Sequence, residues 1–194
     1  RFLNYVKINT QSDDNSDSVP STKVQLNLGN LLVKELHDLG IKNAYIDEYG
    51  VVYAHLDGDG TPIGLNAHID TATNISGENV KPQIIHNYQG QDIKLNDEYT
   101  LSPNKFPSLL KHIGKDLVTT SGDTLLGTDD KAGIAIIMSV LEYFIFHPEI
   151  KHHPIRVAFT CDEEIGRGAK HFSLEKMGAE YAYTIDGGDI SHIN

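Results

Sequence analysis

Cysteine occurs once in the 194 residues, at Cys161. An internal disulfide is therefore excluded, and a reducing, cytoplasmic setting fits. Long apolar runs are missing too: none approaches the roughly 18 residues that a membrane-spanning helix needs. Basic residues are scarce, with 16 Lys and Arg against 27 Asp and Glu and a net charge of −11. Clustered cations are what a phosphate backbone wants, so no nucleic-acid partner is expected. The negative charge is spread along the chain rather than blocked and reads mainly as solubility. There is no Gly-x-Ser-x-Gly elbow, so a serine hydrolase would have no nucleophile. No Gly-rich phosphate loop occurs, since Asp57-Gly58-Asp59-Gly60 has no Lys and no helix behind it. No internal repeat, low-complexity tract or signal peptide stands out. The chain opens at Arg1 without Met, so a few residues are expected to precede it.

What is present suits one globular domain or part of a larger one, with 39% hydrophobic residues to build a core. Residues 11–21 form a polar loop, and Pro20-Ser21-Thr22 reads as a helix cap. Val24, Leu28, Leu31, Leu32, Leu36 and Leu39 follow helical spacing, with Gly40 as the stop. Residues 51–56 and 63–67 read as strands separated by the Asp57–Gly60 turn. Residues 71–127 read as irregular, with short strands and a helical turn near 106–112. A second helix is expected over 132–146, ended by His147-Pro148. An apolar strand over 155–160, a short helix over 170–177 and a buried strand over 181–185 complete the pattern. Helices alternating with apolar strands predict an α/β sandwich with a mixed, largely parallel sheet.

Against that pattern, the acidic and imidazole groups fall at the ends of elements. His68 and Asp70 close the second strand, and Asp162, Glu163 and Glu164 follow the strand over 155–160. Asp186 follows the last strand, and Asp129 and Asp130 lie in a loop feeding the second helix. Sites in open α/β sheets assemble at the C-terminal strand edge. Each signal has an ordinary alternative. His-x-Asp can be a surface turn, Asp-Asp-Lys can be helix capping, and the other two can be solvated turns. Gathered on one edge, however, these carboxylates would repel unless cations neutralised them, so their joint placement points to metal. The other histidines read as bland: His152 and His153 as a solvated loop, His147 as a helix-end residue, and His55, His86, His112 and His171 as surface or packing residues. Cys161 reads as a small, semi-buried residue.

The order Ala67-His68-Ile69-Asp70-Thr71, Gly127-Thr128-Asp129-Asp130-Lys131-Ala132-Gly133, Asp162-Glu163-Glu164-Ile165-Gly166 and Asp186-Gly187-Gly188 resembles the M20 family of co-catalytic zinc peptidases. Non-catalytic stretches narrow the likeness to its tripeptide-cleaving branch: Val19-Pro20-Ser21-Thr22, Pro82-Gln83-Ile84-Ile85, Leu101-Ser102-Pro103 and Arg156-Val157-Ala158-Phe159-Thr160. The resemblance implies a three-layer α/β/α catalytic domain, of which residues 1–194 would be the N-terminal part. A lid domain and the C-terminal remainder would lie outside the chain.

The resemblance also implies a ligand set. His68, Asp129 and Asp186 would hold one Zn²⁺, and Asp129 and Glu164 would hold a second, completed by a histidine beyond Asn194. Glu163 would be the general base, and Asp70 would fix the His68 tautomer. The Asp129–Asp130 peptide bond is expected to be cis. Imidazole and carboxylate donors suit zinc. Two such ions about 3.5–4 Å apart can share a bridging water and lower its pKa. Removal of the N-terminal residue from tripeptides is the implied activity. Alternatives are a related deacylase or dipeptidase, or an inactive fragment that binds metal weakly. The chain departs from the pattern near its end, where a Gly-Glu pair is expected and Ser191-His192 stands. His192 is not taken as a substitute ligand.

Overall fold

The computed structural model describes residues 1–188. A short helix α1 (Phe2–Tyr5) leads to α2 (Gln25–Asp38), and β1 (Tyr45–Ile46), β2 (Val52–Leu56) and β3 (Ile63–His68) follow. Next come β4 (Gln83–Ile85), β5 (Ile93–Lys94), β6 (Thr100–Leu101), a 3₁₀ turn (Pro107–His112) and β7 (Leu117–Thr119). The long helix α3 (Thr128–Phe146) precedes β8 (Ile155–Thr160), a second 3₁₀ turn (Glu163–Ile165), α4 (Leu174–Met177) and β9 (Tyr181–Thr184).

The central sheet has the order β1-β2-β8-β3-β9. It is mixed: β8 and β9 both run parallel to β3, while β1 and β8 pair antiparallel with β2. The two small sheets, β4 with β7 and β5 with β6, lie in the stretch between β3 and α3.

Side-chain periodicity sorts the layers. Leu28, Leu32 and Leu36 recur every fourth residue on α2, and all are fully buried. Ile134, Ile137, Met138 and Leu141 form the matching stripe on α3. These stripes pack with Tyr5 of α1 against one face of the sheet, through Val52, Ala54, Val157 and Phe159. The alternate residues Tyr53 and Ala158 face the other way and meet Met177 of α4 with Phe172 and Ala179. The outcome is a three-layer α/β/α arrangement whose second helical layer is, among the described residues, a single short helix. Each fully buried leucine or isoleucine contributes about 1.5–3 kcal/mol, so the α2 and α3 stripes anchor the whole assembly.

Three expectations are corrected. The helix expected over 170–177 is confined to Leu174–Met177, capped by the Ser173 hydroxyl, which accepts from the Lys176 N–H. The strand over 181–185 is not buried: Tyr181 and Tyr183 are 45% and 49% exposed, because β9 pairs only with β3 among the described residues. Ser21 and Thr22 do not cap α2, which starts after Val24 with no side-chain cap bond. The Ser21 hydroxyl is drawn instead to the buried carboxylate of Asp162.

Candidate metal centre

Because β3, β8 and β9 run parallel, their C-terminal ends share one edge. His68 is the last residue of β3 and sits in register with Thr160, the last of β8. The acidic turn begins two residues after Thr160, and Asp186 lies two residues after β9. The start of α3 is brought to the same edge. Its first turn departs from helical geometry at Asp129 (φ −81°, ψ 105°) and Asp130 (φ −121°, ψ 31°), and the peptide bond between them is cis. Gly133 makes that approach possible. A Cβ there would run into the Ile185 carbonyl oxygen and the Asp130 carboxylate.

His68 is the hub. Its imidazole is 2% exposed. Nδ1 lies 3.1 Å from the Asp70 carbonyl oxygen and 3.4 Å from Asp70 Oδ1. With the proton on Nδ1, the Nε2 lone pair faces the acid cluster. Nε2 is 2.9 Å from Asp129 Oδ1, 3.7 Å from Glu163 Oε2 and 4.0 Å from Asp186 Oδ2. Burial would lower the imidazole pKa. Its contacts with Asp70, Asp130 and Asp129 outweigh burial and raise it to about 10. The field at Nε2 therefore strongly favours a cation, and a proton or a metal ion would compete for that lone pair.

The carboxylates are held in different ways. Asp70 is fully buried: its Oδ1 accepts from the Glu163 N–H at 3.0 Å, and its Oδ2 from the Glu164 N–H at 3.1 Å and the Ser12 hydroxyl at 2.5 Å. Burial opposes its charge, but the contact with His68 and these hydrogen bonds hold its pKa below the ordinary carboxylate range. Asp130 is 1% exposed and accepts from the His68 and Gly133 N–H groups at 3.1 and 3.2 Å. Burial nevertheless pushes its pKa up to about 7. Glu164 is also raised, by partial burial and then by the nearby Asp129 charge. Glu163 keeps a 53% exposed side chain. It lines a cavity of about 460 Å³ together with His68, Asp186, Asn66, Phe172 and Thr184.

Two sets of ligand atoms fall within 4.8 Å of one another: His68 with Asp129 and Glu164, and His68 with Asp130 and Asp186. One imidazole among hard carboxylate oxygens suits a divalent ion such as zinc, and burial, with a smaller contribution from neighbouring carboxylates, raises the Asp130 and Glu164 pKa values. The residues present fit a metal. The expected set His68, Asp129 and Asp186 is not one of these two: Asp186 is grouped through Asp130. The sequence places Asp130 beside Asp129 among the acidic groups of this edge, but the resemblance gives it no ligand role. Ser12 escaped the sequence reading, and nothing in its polar loop marks it. His192 lies outside the described residues.

No family model matches the chain. Curated relatives do, end to end. Peptidase T of Bacillus pumilus is 54% identical over 199 aligned positions, covering all of this chain and 48% of the relative. The chain resembles peptidase T along its whole length. The peptidase T proteins of Bacillus subtilis and Clostridium acetobutylicum are 53% and 52% identical, again with the whole chain aligned. The chain spans about half the length of the peptidase T relatives it matches. Among solved structures, a Staphylococcus aureus tripeptidase shares the fold at a TM-score of 0.66 and 24% identity, over 96% of this chain and 42% of that one. An aminopeptidase of Bacillus cereus follows at 0.65 and 21%, over 96% and 42%. The likeness to peptidase T thus extends through elements remote from the carboxylate edge, including β4 to β7.

Proposed function

We propose that this chain furnishes the catalytic edge of a metal-dependent aminopeptidase that removes the N-terminal residue from tripeptides. The observation that carries the reading is the division of labour between two adjacent glutamates. Their N–H groups are held by the two oxygens of one buried aspartate. Glu164 belongs to a ligand set, while Glu163 faces the cavity. Homology to peptidase T supports the substrate class.

In this reading His68, Asp129, Asp130, Glu164 and Asp186 would hold divalent ions, zinc by preference, with a further histidine supplied by polypeptide beyond residue 194. Two such ions would supply Lewis-acid polarisation of a water molecule and of the scissile carbonyl. Glu163 accepts the proton that the water loses as its oxygen attacks the carbonyl carbon. The same proton then passes to the departing amine nitrogen as the C–N bond breaks. Asp70 orients the system: it fixes the His68 ring and the backbone of both glutamates. No helix of the described residues is long and apolar enough to cross a membrane. We assign the protein to the cytoplasm from its single thiol.

The test is a pair of substitutions in the full-length gene product, assayed on tripeptides, dipeptides and N-acyl amino acids. Glu163→Gln is expected to abolish tripeptide turnover with metal content unchanged, and Glu164→Gln to lower metal content. Metal loss from Glu163→Gln instead would reverse the two roles. Preference for an N-acyl amino acid would replace the aminopeptidase by a deacylase.

A further inference from the structure

Asp162 stands beside the two glutamates and has no part in the chemistry above, yet it is the most constrained residue of the turn. It is 2% exposed and adopts a left-handed conformation at φ 61°. Glycine is the usual occupant of that region, and among residues bearing a Cβ it is Asn and Asp that enter it most readily. The side chain explains why glycine does not stand here. Oδ2 accepts from the Ser21 N–H at 2.8 Å, and Oδ1 from the Ser21 hydroxyl at 2.5 Å and from Gln25 Nε2 at 2.7 Å. The Gln25 amide also closes on the backbone, its Oε1 accepting from the Asp162 N–H at 3.2 Å. The Asp162 carbonyl oxygen receives the Arg167 N–H at 2.8 Å. The Arg167 guanidinium in turn reaches the Ser16 carbonyl oxygen at 2.6 Å.

We propose that Asp162 is a positioning residue: its tether to Ser21 and Gln25 sets the left-handed entry that aims Glu163 at the cavity and Glu164 at the ligand set. The tether runs from the start of α2 and the loop before it, both on the far side of the sequence from the turn. Asp70 holds the two glutamate N–H groups from one end, and Asp162 fixes the backbone that presents them from the other. The roles given to Glu163 and Glu164 rest on the proposed metal-dependent reading; the tether itself does not.

The experiment separates the two. Amide hydrogen exchange, read by NMR on this chain, reports on Glu163 and Glu164 without any metal. Asp162→Gly favours the left-handed backbone but removes the tether. It is expected to speed exchange at both amides by about tenfold or more, while Ile137 and Val157 in the core are unchanged. Asp162→Asn tolerates the same φ and keeps both Ser21 contacts, its oxygen accepting the Ser21 N–H and its NH₂ donating to the Ser21 hydroxyl oxygen, but it loses the Gln25 Nε2 bond; its exchange is expected to lie between the unaltered chain and Asp162→Gly. Gln25→Leu, whose fold is secured by the α2 stripe, is expected to follow Asp162→Gly in direction. Unchanged exchange in Asp162→Gly, or equal loss in Asp162→Asn, overturns the tether. Co²⁺ titration supplies the second readout. The visible absorption of bound Co²⁺ is expected to change in Asp162→Gly and to change less in Asp162→Asn; an unaltered Asp162→Gly spectrum also overturns the proposal. If the full-length protein binds no Co²⁺, the metal reading fails, and the exchange comparison still decides the tether.

Discussion

Replacing Asp70 by asparagine changes one oxygen to an NH₂ group and almost nothing in volume, so the cost can be worked from the hydrogen bonds alone. Asp70 is fully buried and accepts from two backbone N–H groups and one hydroxyl. The Ser12 hydroxyl can rotate and become an acceptor; the two backbone N–H groups cannot. Whichever way the amide is placed, its NH₂ group faces Glu163 N–H or Glu164 N–H, donor against donor. One buried donor is left unpaired, at about 1–3 kcal/mol. The remaining bonds lose their charge assistance, and His68 loses the carboxylate 3.4 Å from Nδ1. Asp70→Asn is therefore expected to destabilise the fold by about 2–4 kcal/mol, a large share of the 5–15 kcal/mol typical of a domain. Urea unfolding in the presence of a chelator measures this without any metal contribution. For a domain of this size the melting temperature should fall by about 5–15 °C. Asp70→Ala, which frees both N–H groups, should cost about 3–5 kcal/mol. If Asp70→Asn stays within about 0.5 kcal/mol of the parent, the account of Asp70 as the acceptor that orders the acidic turn is wrong.

Other consequences follow from the packing. Gly133→Ala forces a methyl group against the Ile185 carbonyl oxygen and the Asp130 carboxylate; its Zn²⁺ affinity by calorimetry should fall at least about tenfold, and affinity equal to the parent's would show that the α3 approach is not needed. Leu32→Ala removes a fully buried side chain from the α2 stripe, and its unfolding free energy should drop by about 2–5 kcal/mol with unchanged metal stoichiometry. Cys161 is 5% exposed, its thiol donates to the Gly50 carbonyl oxygen at 3.4 Å, and burial raises its pKa well above the ordinary thiol value. Folding thus suppresses the reactive thiolate, and labelling by Ellman's reagent near pH 8 should proceed only as fast as the chain opens; labelling in seconds under native conditions would contradict that burial.

The helical stripes and the apolar strands were legible because their periodicity is set by burial, and burial here is strong. The stripe Leu28, Leu32, Leu36 and the strand Ile155–Thr160 were read with the right period and place. The antiparallel pairing of β2 with β8 was not, since strand direction depends on the route of the connections and leaves no mark on a five-residue run. The exposure of β9 was misjudged for a related reason. Tyr-Ala-Tyr-Thr-Ile is apolar enough for a central strand, but burial depends on what packs beside it, and no described residue pairs with its outer edge.

The site divides along the same line. The gathering of its groups was legible as a placement: His68, Glu164 and Asp186 fall at or just after the C-terminal ends of β3, β8 and β9, which run parallel, and Asp129 enters α3 at the same edge. Asp129 and Asp130 share the alternative of a helix cap, and the resemblance gives only Asp129 a ligand role. Yet α3 has no side-chain cap bond, and Asp130 turns inward to the His68 N–H. The polar loop before α2 was the least legible part. Ser12 looks like a solvated loop residue and Ser21 like a helix cap, yet each donates its hydroxyl to a buried aspartate 58 or 141 positions away. Those two aspartates, Asp70 and Asp162, flank the same pair of glutamates. Neither can be replaced from within its own element: Asp70 takes its hydroxyl partner from the loop, and Asp162 takes its partners from that loop and α2. A segment with no chemistry of its own therefore sets where the chemistry points. Substitutions in residues 12–25 should then act on the acidic turn before they act on the stability of the core.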